Sequence, residues 1–462
     1  MKKTLLILVF LPLFSIAQNT HGIVVSQKTN LPIEDVNVRL FSTNILSLTN
    51  EKGEFSLKSL SNSKENDILE FSHVGYISKQ ISLKELKKQY KVFLSEEMEN
   101  LSGLTIETNN ELRLKSKVDF NKLTSLPYKI FSFGSCFKDG KIYIVGGSDS
   151  YESNALETLK AKNINSEDPK FLQKYLNELA SQYSSTSYKD GLLIYHIKED
   201  LWETSPVKFK KRAFNNLNYY DNKLYVLGGK RVSTNRKFEY LENQIEVFEM
   251  NKQNITIDNT YPHQASNAAS FTYTDNIIVM GGSIKSTEKG EKEFTNKVHL
   301  YNITSGYWYE LANMPIAKET SGTIIGNKIY LIGGNNGKPL SEIESFDLTT
   351  EKWQTEGELF SGFESPTVTY NNDIIYFFED RKICVYDTNS KLLKEYLVEL
   401  NIKSSAMYFF NNTLYIAGGR TFINYANTPT GNLYSINIDE FNITKPNRVK
   451  ILTNTPGKAR AN

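Results

Sequence analysis

Arg212, Arg231, Arg236, Arg381 and Arg420, together with Asp149, Tyr151 and Tyr425, fall in the segments that connect apolar runs. A guanidinium offers a rigid fork of donors to carboxylates and hydroxyls, and a tyrosine ring offers a flat face with a polar tip. Such a set can hold a small acidic or sugar-like ligand. The candidate ligand-binding residues are therefore Arg231, Arg236, Arg420, Tyr425, Asp149 and Tyr151, although each taken singly reads equally as a solvated surface residue. Catalytic signatures are lacking: no nucleophile-base pair and no recurring carboxylate constellation stands out, and no catalytic residue is assigned. The five histidines, His21, His73, His196, His263 and His299, form no metal-spaced pair, so neither a metal nor a cofactor is expected. Cys136 and Cys384 sit in apolar, strand-like contexts that suit small buried hydrophobes, and the expectation is two unpaired thiols.

These residues need a scaffold, and 462 residues are ample for one. At about 150 residues per domain the length gives roughly three domains, or two if one is a large all-β unit. A hydrophobic fraction of 39% with 23% charged residues excludes a disordered polymer, and 27 Tyr and 26 Phe beside 3 Trp favour strands. A net charge of +2 gives no start for nucleic-acid binding. Lys2 and Lys3, the apolar run Leu5 to Phe14 and the small residues of Ser15-Ile16-Ala17 read as a signal peptide over residues 1–17, cleaved after Ala17. Its removal takes away two lysines and no acid, which leaves a neutral mature chain. No later stretch is apolar enough to span a bilayer, so no transmembrane segment is expected in the mature chain.

Residues 19–97 carry short strand-like runs between turn residues. Val36, Val38 and Leu40 alternate as in a half-buried strand, Gly53 sits in a polar turn before Phe55, and Ile77, Ile81 and Leu83 fall on one side of a further run. About seven short strands in this length imply a small β-sandwich. The series Gly22-x-Val24, Leu31-Pro32-x-x-x-Val36-x-Val38, Thr49-x-x-x-Gly53-x-Phe55, Leu69-x-Phe71-Ser-x-Val-Gly75-Tyr76 and Val92-x-Leu94 resembles the carboxypeptidase-regulatory-like domain. That family is non-catalytic and in Bacteroidetes precedes outer-membrane transport receptors and many secreted proteins. The resemblance implies a spacer or docking module of an exported protein. Residues 98–119, charged and amide-rich, read as a linker.

Residues 120–462 repeat. Cys136-Phe-Lys-Asp-Gly-Lys-Ile-Tyr-Ile-Val-Gly-Gly147 recurs as segments ending at Gly229, Gly282, Gly334 and Gly419, and in degenerate form at Val368 to Glu379. Asp-Gly, Asp-Asn and Asn-Asn pairs tolerate the positive φ of tight hairpins. A second signature follows each hairpin, as in Ile245-Glu-Val-Phe248, Val298-His-Leu-Tyr301 and Ile343-Glu-Ser-Phe346, with Trp202, Trp308 and Trp353 seven residues after the aromatic in three units. Four strands repeating at roughly fifty residues with these marks resemble kelch repeats, and six units imply a six-bladed kelch β-propeller. The fold class is thus all-β, a small N-terminal β-sandwich followed by the propeller. Glu379-Asp380 replaces the glycine pair in blade five, which must close differently.

The loops after Gly-Gly and the links between blades share one face. Segment 148–190 is the longest, with a helix expected from a Ser166 cap and Pro169, and with Phe171, Leu172, Tyr175, Leu176 and Leu179 on one side. Arg231, Arg236, Arg420 and Tyr425 are expected to converge in one pocket with this insertion as a wall. Among kelch propellers, copper-radical galactose oxidases need two His, two Tyr and a Cys crosslinked to Tyr, which Cys136 and Cys384, inside blade strands, do not support. Kelch sialate mutarotases, using Arg and carboxylates, are the alternative. The resemblance as a whole implies an exported, non-catalytic binding or scaffold protein of the cell envelope, periplasmic, at the outer-membrane surface or secreted. Its expected partner is an envelope protein or glycan, with a TonB-dependent receptor assembly as one possibility and no nucleic acid.

Overall fold

The structure is a computed structural model that describes residues 20–40, 45–57, 65–73, 75–96, 114–181, 187–232, 239–286, 292–423 and 425–453. The expected signal peptide, residues 98–113 of the expected linker and Arg236 lie outside the described residues. The chain divides into two compact units, Met1–Asn110 and Glu111–Asn462.

In the first unit Thr20–Ser26 lies between Glu54–Leu57, antiparallel, and Lys91–Leu94, parallel. A second sheet runs in the order Ile45–Leu48, Asn37–Leu40, Ile68–Ser72, Lys79–Ser82. Val38 and Leu40 point into the core while Asn37 and Arg39 face out, and Val24, Phe55, Leu69, Phe71 and Val92 complete the same cluster. Gly53 holds φ at +71°, and a Cβ there would meet the Val24 carbonyl oxygen at 2.4 Å, so the turn requires glycine. One expectation fails at Leu83. Instead of continuing a strand it opens a helix, Leu83–Gln89, because Ser82 and Glu85 form a capping box and Leu83 and Leu86 bury one face.

The second unit contains six antiparallel sheets arranged as blades. Each begins with a short strand followed by a hairpin: Gly134–Lys138, Asn216–Tyr220, Ala269–Tyr273, Gly322–Ile325, Thr367–Asn371 and Ala406–Phe410 open blades one to six. The ring closes where Asn121–Leu123, from the start of the unit, pairs with Leu433–Asn437 as the outermost strand of blade six. Blade five gains a fifth strand, Arg448–Ile451, on Leu392–Leu397. Of the stretch read as a linker, the described end is held to the propeller: Val118 bridges Val398, and Lys115 bridges Thr444 and pairs with Glu440.

The repeat marks have structural tasks. The second glycine of each pair donates its N–H to the link between blades, Gly147 to Arg212 O at 2.9 Å, Gly229 to Ala265 O at 2.9 Å, Gly282 to Lys318 O at 2.8 Å, Gly334 to Phe363 O at 3.0 Å and Gly419 to Ile130 O at 2.9 Å. In blade five Asp380 and Arg381 take φ of 43° and 63° in a two-residue turn, and Asp380 donates to Ile402 O at 2.9 Å. The buried Glu379 carboxylate there receives the backbone N–H groups of Glu364 and Ser365, each at 2.9 Å. The three tryptophans stack on the aromatic of their own blade, with ring centroids 4.9 Å apart for Tyr195 and Trp202, 4.8 Å for Tyr301 and Trp308 and 4.7 Å for Phe346 and Trp353.

Cys136 and Cys384 are free thiols, half-buried and buried respectively. Burial pushes both thiol pKa values up, so neither is a thiolate at neutral pH. Iodoacetamide is therefore expected to leave buried Cys384 unmodified in the native protein, to react only slowly with half-buried Cys136, and to alkylate both in urea. Rapid labelling of the native chain would contradict this packing.

Candidate functional site

The opening strands of all six blades line the axis and enclose a cavity of about 810 Å³. Its walls are mostly hydroxyls, amides and aromatic rings, among them Ser135, Asn218, Ser270, Thr272, Phe271 and Tyr408. Ser270 Oγ donates to Asn218 Oδ1 at 2.7 Å, Asn218 Nδ2 to Thr272 Oγ1 at 3.2 Å, and the Tyr408 hydroxyl to Ser135 Oγ at 2.8 Å. Burial pushes the Tyr408 phenol far up, so it acts only in its protonated form.

At the loop-face end a smaller cavity of about 170 Å³ forms the mouth. Its rim is a chain of backbone hydrogen bonds from link to link: Ser132 N to Ser404 O at 3.4 Å, Phe214 N to Ser132 O at 2.6 Å, Asn267 N to Phe214 O at 3.1 Å and Thr320 N to Asn267 O at 3.4 Å. Positive φ at Ser132, Phe214, Asn267 and Ser404 turns each of these links inward. Two carboxylates line the mouth. Glu319 accepts from Ser283 Oγ and Lys292 Nζ, both at 2.7 Å. Glu364 accepts from Asn335 Nδ2 at 3.0 Å and Lys403 Nζ at 3.4 Å.

The insertion within blade one, between its second and third strands, joins blade six. Glu152–Ser153 pairs with Ala426–Pro429, which pairs with Arg420–Ile423, and Asn154 N donates to the Tyr425 carbonyl at 3.1 Å. Two helices follow, Ala155–Ala161 and Phe171–Ser181. The second starts after Asp168, whose side chain takes the Lys170 N–H at 2.8 Å, so Ser166 is not its cap. Nor is its apolar stripe single: Leu172 and Leu176 are 67% and 54% exposed, whereas Phe171, Tyr175 and Leu179 are half-buried. Glu178 pins this helix to the sheet, accepting from Tyr151 Oη at 2.8 Å, Ser153 Oγ at 2.9 Å and Lys162 Nζ at 3.1 Å. Burial raises the Glu178 pKa, and these three donors outweigh it and bring the group below its ordinary value.

The candidate residues are thus placed as follows. Tyr151 precedes Glu152–Ser153 and Tyr425 precedes Ala426–Pro429, the two strands that pair between blades one and six, and Arg420 starts the hairpin that contains Tyr425, its guanidinium 5.3 Å over the Phe131 ring. Asp149 pairs with Lys189. Arg231 lies on the separate blade-two hairpin, its Nε 2.7 Å from Glu242 and its guanidinium 5.1 Å over Tyr240. None of these five side chains lines the axial cavity or its mouth. Arg212, read as available on the loop face, is fully buried.

Arg212 belongs to a device that the sequence reading missed. From the link before blade two it reaches Glu246 and donates to the Gly228 carbonyl at 3.3 Å. Lys318 does the same before blade four, 2.6 Å from Glu344 and 2.8 Å from Gly333 O. Before blade three the parts are neutral: His263 Nε2 lies 2.7 Å from Gly281 O, and His263 Nδ1 lies 2.8 Å from His299 Nδ1. A carbonyl only accepts, so Nε2 of His263 carries its proton and His299 donates from Nδ1. Glu246, His299 and Glu344 share the second position of the third-strand signature, the signal that could have revealed these junctions.

Comparison with known proteins agrees with this architecture. Residues 179–379 match the KLHDC2/KLHL20/DRC7 Kelch-repeats domain, and residues 20–106 match the CarboxypepD_reg-like domain. Kelch-like protein 41b of Danio rerio is 23% identical over 222 residues, 48% of this chain and 30% of that protein. Kelch-like protein 23 of Homo sapiens is 29% identical over 174 residues, 34% of this chain and 30% of that protein. The chain thus spans under a third of the length of these curated relatives. Among solved structures, that titled "Structure of YjhT" superposes with a TM-score of 0.51 at 14% identity, covering 67% of this chain and 95% of that one, a likeness of fold.

Proposed function

We propose, from the premise that the chain is a kelch-repeat propeller protein with an N-terminal carboxypeptidase-regulatory-like domain, that it is an exported, non-catalytic binding protein of the cell envelope. Its loop face recognises a protein or glycan, and the first unit serves as spacer or docking piece beside an outer-membrane assembly, such as that of a TonB-dependent receptor. Propellers host both enzymes and binding proteins, so the fold does not decide between them. The observation that carries the reading is the lobe shared by blades one and six, which presents Leu156, Leu172, Leu176, Phe422, Ile423 and Tyr425 to solvent from one hydrogen-bonded unit. Exposed apolar side chains grouped on one unit are the usual mark of a recognition surface. Charged groups elsewhere on the loop face are already paired, Arg231 with Glu242, Glu319 with Lys292 and Glu364 with Lys403. No helix among the described residues is long and apolar enough to cross a membrane.

Two measurements test this. Mass spectrometry of the protein from its host is expected to find a mature N-terminus at Gln18, and an intact Met1 on the product would remove the export half. Exchange NMR on sialic acid and common hexoses is expected to show no acceleration of anomeric interconversion. Acceleration that disappears in Arg231→Ala or Arg420→Ala would replace the binding reading with a sugar mutarotase.

A further inference from the structure

Among the described residues blade five alone has five strands, and the fifth, Arg448–Ile451, follows blade six in the chain and returns to its neighbour. The other blades are complete at four and the ring closes through Asn121–Leu123, so neither needs this strand. The segment is nevertheless closely read. Its side chains alternate: Val449 and Ile451 are exposed, while Arg448, Lys450 and Leu452 face the last strand of blade four, Lys352–Phe363. The fully buried Glu395 carboxylate accepts from Arg448 Nε at 2.9 Å and Nη2 at 2.8 Å as a two-pronged pair, and from Asn447 Nδ2 at 2.9 Å. The Phe360 ring lies beneath both cations, 4.8 Å from the Arg448 guanidinium and 4.7 Å from Lys450 Nζ. Leu452 is buried in a notch at Gly357, where a Cβ would come within 2.8 Å of the leucine Cβ. The main chain is bonded at both ends of the segment, Asn447 N to Glu395 O at 2.7 Å and Leu452 N to Lys391 O at 2.8 Å.

Main-chain pairing along a sheet edge, with separate pockets for alternate side chains, is how a strand-accepting groove recognises an extended peptide. The pockets here belong to the blades and not to the segment: Glu395 comes from blade five, and Phe360 and the Gly357 notch come from blade four. Among the described residues, the hydrogen bonds to the Glu395 carboxylate all come from Asn447 and Arg448, so this buried anion serves the segment. We propose that the flank between blades four and five is a peptide-docking groove, filled in cis by residues 447–452, and that it fits an extended segment of a partner protein with arginine, a second basic residue and a large aliphatic residue at alternate positions. The fifth strand is then a built-in competitor. Joined to the same chain, it has an effective concentration on the order of millimolar, so a partner segment enters only where that strand is displaced. The groove is distinct from the lobe of blades one and six and goes beyond the reading above.

Fluorescence polarisation with a labelled peptide of the sequence 447–453 tests this on the full chain. In Arg448→Glu/Leu452→Asp the fifth strand loses two anchors while Glu395, Phe360 and Gly357 remain, and this variant is expected to bind the peptide at micromolar protein. The parent chain is expected to show no binding at that concentration, because its groove is filled. Adding Glu395→Gln to the variant is expected to weaken binding about tenfold, and a scrambled peptide of the same composition is expected to bind neither chain. No binding to the double variant overturns the proposal, as does equal binding by the parent chain or of the scrambled peptide. Hydrogen exchange on the parent chain gives a readout that needs no variant: residues 448–452 are expected to exchange well ahead of the inner strand Ile374–Glu379, as a separable strand must. Exchange of both at one rate would make the segment an integral part of blade five and overturn the proposal as well.

Discussion

Lys318→Met destabilises the propeller by about 3–5 kcal/mol, because it leaves the Glu344 carboxylate buried without its cation. Lys318 is fully buried, and its ammonium joins the link before blade four to Glu344 and to the Gly333 carbonyl inside that blade. The penalty comes from the stranded charge more than from the lost contact. The double variant Lys318→Met/Glu344→Met removes both ions and is expected to recover most of the loss. Arg212→Met, which strands Glu246 in the same way before blade two, should fall in the same range. Exposed Lys338→Met is the control and is expected within about 0.5 kcal/mol of the parent. Urea unfolding of the four variants checks this, and a Lys318→Met chain as stable as the control would show that the junction carries no load.

The junction before blade three makes the same link titratable. Burial pushes the His263 pKa down to about 4, with the His299 ring lowering it further and the Gly281 carbonyl partly opposing both. Proton placement agrees: a second proton on His263 would force His299 to give up donating from Nδ1 and carry its own proton on Nε2. The unfolded chain takes up that proton near pH 6.5, so between 6.5 and 4 it binds more protons than the folded chain. The stabilisation is complete above pH 6.5, falls as the pH drops, and is exhausted below about 4. Between pH 7 and pH 5 it amounts to about 2 kcal/mol. Urea unfolding across that range is expected to show the loss, and His263→Gln to flatten it. An equally steep slope in His263→Gln would assign the pH dependence to other groups.

What the sequence made legible follows from which contacts are local. The six hairpins are written in adjacent residues, as in Asn218 to Gly229, where an alternating run, an Asp-Asn turn and a glycine pair lie within twelve positions. The stacking of Trp202 on Tyr195 is likewise a contact between paired strands. Ring closure is not local. Asn121-Lys122-Leu123 has too few residues to show a period, and only its pairing with Leu433–Asn437 makes it a strand. The fifth strand of blade five is equally silent, since Arg448–Ile451 reads as a charged tail until it meets Leu392–Leu397. At the site, residue type pointed to arginines and tyrosines on the rim, whereas the axial cavity is lined by side chains from six separate opening strands and its mouth by backbone bonds between links, such as Asn267 N to Phe214 O. The buried junctions were spelled in the sequence, at the second position of the third-strand signature. Their partners Arg212, His263 and Lys318 sit 34, 36 and 26 positions away, beyond any local pattern.

Recognition of a partner by the loop face is tested most directly by photo-crosslinking in the host cell. A photoreactive residue at Leu176 or Phe422, on the lobe shared by blades one and six, is expected to give a discrete adduct that ultraviolet light alone produces. The same residue at Tyr307, exposed on the outer strand of blade three, is expected to give none. Adducts from Tyr307 with nothing from Leu176 and Phe422 would place the interface on the flank of the propeller and contradict the account.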